Sequence, residues 1–251
     1  MPTNLPLKGK TIILTGSAKT TEVKQQVREN GGTVAVFPLI RIQEHLVEDD
    51  VHITEFASFN WLIFTSQNAV EAFIDKINRA HITAADINSK VAAVGTKTAA
   101  LLEAQGFTVH FIPSIFSADV FVQEFPAVAG DSPRCLFLRG SLAKPTIKEG
   151  LPFDVVEWTV YETVENREFI EPFIWTLQET EAIVIFASPS AVKVFDENIV
   201  PMVGWNRVKA AAIGHITASA LQQVGVSVYV QPETYTMQAV IEQLILEETK
   251  Q

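Results

Sequence analysis

The chain has 251 residues, of which 47% are hydrophobic and 19% are charged, and its formal net charge at pH 7 is −10. This composition is typical of a globular protein with a sizeable core, and it argues against disorder or a coiled coil. The acidic excess disfavours duplex DNA or an anionic membrane as the main partner. One cysteine excludes an internal disulfide framework, and no apolar run approaches the roughly 20 residues that cross a bilayer. We therefore expect a cytoplasmic protein that binds neither nucleic acid nor membrane.

Short apolar runs, each followed by glycine, serine or proline, predict parallel strands that are buried on both faces. In chain order these runs are Thr11–Thr15, Trp61–Thr65, Val91–Val94, Val109–Ile112, Cys135–Leu138, Ala182–Phe186, Ala210–Ile213 and Ser227–Val230. Helical stretches lie between the earlier runs, at Thr21–Asn30, Ala69–Arg79, Thr98–Gln105 and Ala118–Phe125. Strands that alternate with helices of this length predict right-handed βαβ crossovers and parallel sheets.

The two halves of the sequence resemble each other. Residues 63–73 align with residues 185–195 at an offset of 122, and six of these 11 positions are identical. Residues 91–106 align with residues 210–225 at an offset of 119, with seven of 16 positions identical. A weaker pairing sets residues 13–17 beside 137–141 at an offset of 124. These repeats predict an α/β protein of two similar, open, doubly wound parallel-sheet domains with a cleft between them.

The joints between the two domains are predicted from a further pair of segments. Phe37–Ile42 and Trp158–Thr163 occupy equivalent places in the repeat, and acidic, loop-like sequence follows both. We expect them to pair as a two-stranded β hinge. One discontinuous domain would then comprise residues 1–38 and 165–251, and the other would comprise residues 39–164. Two sequential domains are the alternative that the sequence leaves open.

Polar residues shared by the repeats follow predicted strands at the points where helices begin. Helix capping alone accounts for serine, threonine and asparagine at such turns. The free amides and hydroxyls of the same turns also form an anion site at the carboxyl ends of the strands. Several such turns predict a ligand with several anionic groups. The residues predicted to bind this ligand are Thr65, Ser66, Asn68, Thr98, Arg139, Ser188, Ser190, Gly214 and Thr217.

Other kinds of chemistry are weakly supported. Residues 16–20 follow a strand but lack the Gly-Lys pair of a P-loop, so a nucleotide-dependent enzyme is a minor alternative. Arg139 and Lys144 could contact carboxylates or simply face solvent. His215 lies in a candidate turn, but the five histidines share no metal-ligand spacing, so we expect no metal. Cys135 lies in an apolar strand, which favours a packing role.

Several of these segments together resemble the uroporphyrinogen-III synthase family. The resemblance covers nearly the whole chain and depends on the joint order of its motifs. These motifs are Trp61–Val70, Val94–Ala99, Val160–Thr163, Phe186–Val192, Ala212–Ala218 and Pro232–Val240. The chain departs from the family after its first strand, where many members have Thr-Arg and this chain has Thr15-Gly16. The carboxylate contact that the arginine implies is therefore not expected here, and Lys19 is the candidate for a partial substitute.

The resemblance implies a cofactor-free lyase of tetrapyrrole (haem) biosynthesis with two α/β domains joined by a two-stranded ladder. Its substrate would be hydroxymethylbilane, a linear tetrapyrrole with two carboxylates on each ring. The product, uroporphyrinogen III, forms by loss of the terminal hydroxyl and ring closure with inversion of the last pyrrole. Because the substrate cyclises unaided to the wrong isomer, the enzyme would act mainly by positioning, with Tyr161 as the favoured hydroxyl donor. The alternative is a noncatalytic two-domain binding module for a small polyanionic ligand. In either case we expect a monomer.

Overall fold

The computed structural model describes residues 5–16, 21–46, 49–55 and 58–250. The chain divides into two compact units. The discontinuous unit comprises Met1–Arg41 and Val164–Gln251, and the continuous unit comprises Ile42–Thr163. The predicted joints lie at 38/39 and 164/165.

Both units alternate strands with helices. The strands are β1 Thr11–Leu14, β2 Thr33–Val36, β3 Ile40–Glu44, β4 Trp61–Phe64, β5 Lys90–Ala93, β6 Val109–Phe111, β7 Cys135–Gly140, β8 Val155–Glu165, β9 Ala182–Phe186, β10 Val208–Ala212 and β11 Val228–Val230. The helices are α1 Thr21–Glu29, α2 Asp49–Glu55, α3 Gln67–Arg79, α4 Thr96–Ala104, α5 Ala118–Glu124, α6 Pro126–Ala129, α7 Thr146–Gly150, α8 Ile170–Glu179, α9 Pro189–Asn198, α10 Val200–Val203, α11 His215–Gln223 and α12 Met237–Thr249. Within the described ranges, no helix is long and apolar enough to cross a membrane.

The sequence repeats fold into equivalent sheets. The five-stranded sheet of the discontinuous unit has the order β11-β10-β9-β1-β2, and the six-stranded sheet has the order β6-β5-β4-β7-β8-β3. Neighbouring strands are parallel throughout the first sheet and from β6 to β8 in the second. The first five positions of the two orders therefore correspond. The expected α/β class with two similar parallel sheets is confirmed.

The expected hinge is also present as a pair of strands. β3 lies beside β8 at the edge of the six-stranded sheet. The amide of His45 donates to the carbonyl of Val160 at 3.1 Å, and the amide of Asn166 donates to the carbonyl of Leu39 at 2.9 Å. These two bonds give the strands opposite directions, because the later residue of one strand faces the earlier residue of the other. The chain passes between the units within these two strands.

Each sheet is covered by helices on both faces, and α3 shows how the sequence produces this. Val70, Phe73 and Ile77 recur at helical spacing and are fully buried against the strands. They pack in one core cluster with residues of β4 and β7 such as Leu62 and Leu136. Burying a side chain of this size contributes about 1.5–3 kcal/mol. This packing holds the carboxyl end of β4, where α3 begins, in a fixed position.

Candidate functional site

The turn after β4 has the geometry of a capped helix start. Ser66 has extended backbone (φ −150°, ψ 154°), and its Oγ accepts a hydrogen bond from the Ala69 amide at 3.2 Å. Thr65, Ser66 and Asn68 are all half-buried at this end of the sheet. The capping interpretation is therefore correct for Ser66. It uses one acceptor position of the serine oxygen and leaves its proton available to donate.

Tyr161 lies at the same edge of the sheet. It pairs with Gly140, the last residue of β7, and the carboxyl end of β7 lies beside that of the parallel strand β4. The Tyr161 hydroxyl is 3.3 Å from Ser66 Oγ, and the tyrosine side chain is half-buried. Because Ser66 already accepts from Ala69, it can donate its own proton to Tyr161. The phenolic proton is then free for another acceptor.

The second candidate turn of the continuous unit follows β5, and a glycine precedes the helix that starts there. Gly95 precedes α4 in extended backbone (φ −143°, ψ 155°), and it has no side chain with which to cap the helix. The first amides of α4 have no partner within the helix. The helix begins at Thr96, two residues before the predicted start. Thr98 is thus its third residue, and only 5% of Thr98 is exposed, so it contributes an amide more readily than a hydroxyl.

The discontinuous unit repeats this arrangement. Ser188 caps α9, and its Oγ accepts from the Ala191 amide at 3.2 Å. Ser190 is half-buried in the first turn of α9. Gly214 precedes α11 without a side-chain cap, and Thr217 is again the third residue of its helix, with 3% exposed. At these equivalent turns, each unit therefore has a serine-capped helix followed by a helix that begins after glycine.

Two exposed aromatic residues beside these glycines were missed by the sequence analysis. Phe116 is 59% exposed and Tyr235 is 54% exposed. A β-carbon placed on Gly95 would lie 3.8 Å from Phe116 Cβ, and one on Gly214 would lie 3.0 Å from the Tyr235 ring. The Tyr235 hydroxyl is 2.9 Å from Nδ1 of His215, which places that histidine beside the turn. The offset of 119 that relates the glycines also relates the two aromatic residues, so the repeat could have indicated both of them.

Arg139 is already engaged by other groups. Its guanidinium bonds the Glu157 carboxylate and the carbonyl of Ala143, and its side chain is 16% exposed. The other oxygen of Glu157 is 3.2 Å from Lys148 Nζ. A ligand carboxylate would therefore compete with Glu157 for Arg139. Lys144 is exposed, in agreement with a solvated position.

The departure from the family pattern at Gly16 has a steric reason. Thr15 Oγ1 donates to the Ile185 carbonyl at 3.0 Å and accepts from the Ala187 amide at 3.1 Å, which ties the end of β1 to β9. A β-carbon on Gly16 would lie 2.9 Å from Ala187 Cβ, so a larger residue would require local rearrangement. Residues 17–20, which include Lys19, lie outside the described residues.

Two open cavities lie at the opposite ends of the sheets. One of about 430 Å³ is lined by the amino ends of β1, β9 and β10, and one of about 460 Å³ by the amino ends of β4 and β5. Open α/β sheets bind ligands at the carboxyl ends of their strands, so these cavities do not mark the site. Cys135 is fully buried, and this burial raises the pKa of its thiol to about 12, which makes it inert. Within the described residues, His, Cys, Asp and Glu form no cluster that could hold a metal ion.

Comparison with known proteins identifies the family of the chain. A family model described as uroporphyrinogen-III synthase HemD matches residues 21–242. The chain is 30% identical to the uroporphyrinogen-III synthase of Synechococcus elongatus over 94% of both chains, and 29% identical to that of Chlorobaculum parvum over 84% of this chain and 87% of the relative. A mutant uroporphyrinogen III synthase from Thermus thermophilus has the same fold, with a TM-score of 0.68 at 18% identity over 96% of this chain and 99% of that one. The chain belongs to the uroporphyrinogen-III synthase family.

Proposed function

We propose that this protein is a uroporphyrinogen-III synthase, a lyase of haem biosynthesis that cyclises hydroxymethylbilane to uroporphyrinogen III. The reaction loses water and inverts the terminal pyrrole ring. The family match over residues 21–242 supports the activity. The observation that carries the site assignment is the Tyr161 hydroxyl, 3.3 Å from Ser66 Oγ at the carboxyl edge of the six-stranded sheet.

Substrate binding depends on amides more than on side-chain charge. The glycine starts of α4 and α11 leave the first-turn amides of both helices without a side-chain acceptor. A hydrogen bond to a charged group contributes about 1.5–3 kcal/mol, so a few such contacts hold a polyacid firmly. The net charge of −10 does not prevent this. Charges more than about 8–10 Å away are largely screened at physiological salt, whereas the amides touch the carboxylates directly.

Turns of both units contribute to binding in this proposal. At the serine-capped helices α3 and α9, the half-buried residues donate hydrogen bonds from their side-chain hydroxyls and amide. At α4 and α11, the buried Thr98 and Thr217 donate from their backbone amides. Arg139 takes part in competition with its bond to Glu157. The complete set is Thr65, Ser66, Asn68, Thr98, Arg139, Ser188, Ser190, Gly214 and Thr217.

Tyr161 supplies the proton for the elimination step. The bond between the terminal carbon and its hydroxyl oxygen breaks, the phenolic proton moves to that oxygen, and water leaves. The pyrrole electrons form the azafulvenium cation, which keeps its ring N–H, and the closing ring later releases a proton that restores the phenol. Ser66 donates to the phenolate oxygen meanwhile, and the Ala69 amide behind it strengthens that bond. A positioned general acid of this kind contributes about 10²–10⁴ in rate.

The activity is tested by the isomer that the protein forms. Freshly prepared hydroxymethylbilane is supplied to the purified protein, the products are oxidised, and the type III and type I uroporphyrins are separated and quantified. We expect type III to form faster than the spontaneous reaction seen with heat-denatured protein. Type I alone, at the spontaneous rate, would reject the synthase. Substrate binding without turnover would then favour the noncatalytic module.

The proposal includes a monomer in the cytoplasm. Light scattering on a sizing column should give a mass near 27.7 kDa. A mass twice as large would contradict the monomer, and recovery of the protein with the membrane fraction of its cells would contradict the location.

A further inference from the structure

The end of β7 approaches Tyr161 through an irregularity in strand pairing. Arg139 pairs with Thr159, but the next residue, Gly140, pairs with Tyr161, so β8 has one extra residue at this point. Such a bulge redirects a side chain, and bulges are common beside functional sites.

The bulge changes the face on which the tyrosine lies. Successive side chains of a regular strand point to opposite faces of the sheet. Here the neighbours Val160 and Tyr161 both pack against the core cluster that contains Leu136 and Leu138. The extra residue in β8 accounts for this arrangement. It brings the phenol to the face on which α3 and Ser66 lie.

Gly140 leaves space for the phenol in the position that the bulge gives it. A β-carbon on Gly140 would lie 2.6 Å from both Cε2 and the hydroxyl oxygen of Tyr161, and closer still to Cζ. The conformation of Gly140 does not itself require glycine, because it is not among the glycines with a positive φ. Space for the tyrosine is therefore the constraint at this position. The Tyr161 main chain is held by a 3.0 Å bond from the Ser141 amide, so an added methyl group would move the ring and its hydroxyl.

We propose that Gly140 is a positioning residue for the Tyr161 hydroxyl, an inference that rests on the proposed function of Tyr161 as proton donor. The absent side chain lets the phenol lie against the α-carbon of β7 with its oxygen within reach of Ser66. A shift of about 1 Å in a reacting group can cost as much as a hundredfold in rate. Gly140→Ala should therefore lower kcat about tenfold, with KM little changed.

A double-mutant comparison tests the proposal. We compare kcat and KM for Gly140→Ala, Tyr161→Phe and the double variant. If the methyl group acts by displacing the hydroxyl, adding Gly140→Ala to Tyr161→Phe should cost less than about twofold, because neighbouring sites are not additive. An equal loss in both backgrounds would mean a general structural defect and would overturn the proposal. An unchanged rate for Tyr161→Phe would instead overturn the role of Tyr161.

The position of the ring can be read without activity. The chain contains three tyrosines, so 3-fluorotyrosine labelling gives three ¹⁹F signals, and that of Tyr161 is identified by its loss in Tyr161→Phe. Gly140→Ala should shift this signal and leave those of Tyr229 and Tyr235 in place. If Tyr161→Phe is impaired while Gly140→Ala has wild-type kcat and an unmoved signal, the positioning role is wrong.

A folding failure would also be informative. If Gly140→Ala does not fold, combining it with Tyr161→Ala should restore a cooperative thermal transition, because removing the ring gives the methyl group space. A double variant that also fails to fold would show that the defect does not act through Tyr161, and it would overturn the proposal.

Discussion

The repeat provides a matched pair of cap serines with which to separate stability from chemistry. Ser66 and Ser188 each have extended backbone, and each accepts from an amide three residues later at 3.2 Å. Of the two, Ser66 also contacts the Tyr161 hydroxyl, at 3.3 Å. Replacing each serine by alanine removes the same cap from two equivalent helices. Ser66→Ala, in addition, removes the hydrogen-bond partner of the Tyr161 hydroxyl.

The loss of stability and the loss of rate can both be estimated from the hydrogen bonds that each variant removes. Loss of a serine cap costs about 1 kcal/mol, so both variants should lose about that much free energy of unfolding. As the phenolate forms, the bond from Ser66 changes from a neutral one, worth about 0.5–1.5 kcal/mol, to a charged one, worth about 1.5–3 kcal/mol. The gain of about 1–1.5 kcal/mol acts in the transition state, so Ser66→Ala should lower kcat by about five- to thirteenfold. Ser188→Ala should raise KM through a lost carboxylate contact, without this fall in kcat.

Urea unfolding and steady-state kinetics with hydroxymethylbilane measure the two effects separately. Ser66→Thr serves as the conservative variant, because threonine keeps both the cap and a hydroxyl, and its kcat should stay close to wild type. Equal kcat values for Ser66→Ala and Ser188→Ala would refute the claim that the bond between Ser66 and Tyr161 acts in the reaction.

Other parts of the molecule allow further tests. Gly214→Ala should raise KM about tenfold, because its methyl group would lie 3.0 Å from an aromatic ring beside the α11 amides; Gly95→Ala, with its nearest atom at 3.8 Å, should raise KM less. Burial raises the pKa of Glu248, but hydrogen bonds from Lys10 and a tyrosine outweigh it and hold the pKa below its ordinary value of 4.5. The stability that this carboxylate adds is present above pH 4.5 and lost as pH falls through the lowered pKa, so the difference in unfolding free energy between wild type and Glu248→Gln should shrink in acid. Because burial raises the pKa of the Cys135 thiol to about 12, the folded protein at pH 8 should take up no iodoacetamide, whereas the urea-unfolded chain should take up one per molecule.

The parts of the fold that follow from periodicity and burial could be predicted from the sequence. Strand Ala182–Phe186 has the predicted bounds, because it is apolar throughout and buried on both faces. Strand Thr33–Val36 was missed, since it lies at a sheet edge with partly exposed residues and gives a weaker pattern. The start of α4 was placed two residues late, because the start is set by the extended conformation of Gly95 and not by the apolar pattern that follows.

The site was less predictable, because it depends on which strands become neighbours. The pairing of Arg139 with Glu157 requires β7 to lie beside β8, and the strand order is not evident from either segment alone. The same holds for the approach of Tyr161 to Gly140, which depends on a bulge of one residue. Phe116 and its counterpart at an offset of 119 could have been found from the repeat.

We assign two functions to different groups: backbone amides fold the substrate and so set the inversion of its terminal pyrrole, whereas Tyr161 only donates a proton. The isomer ratio formed by Tyr161→Phe tests this separation directly. Its rate should fall about a hundredfold, while the product that forms above the spontaneous background should remain type III. If the product formed above background were type I uroporphyrin, this separation of functions would be contradicted. The tyrosine would then be needed to direct the inversion as well as the loss of water.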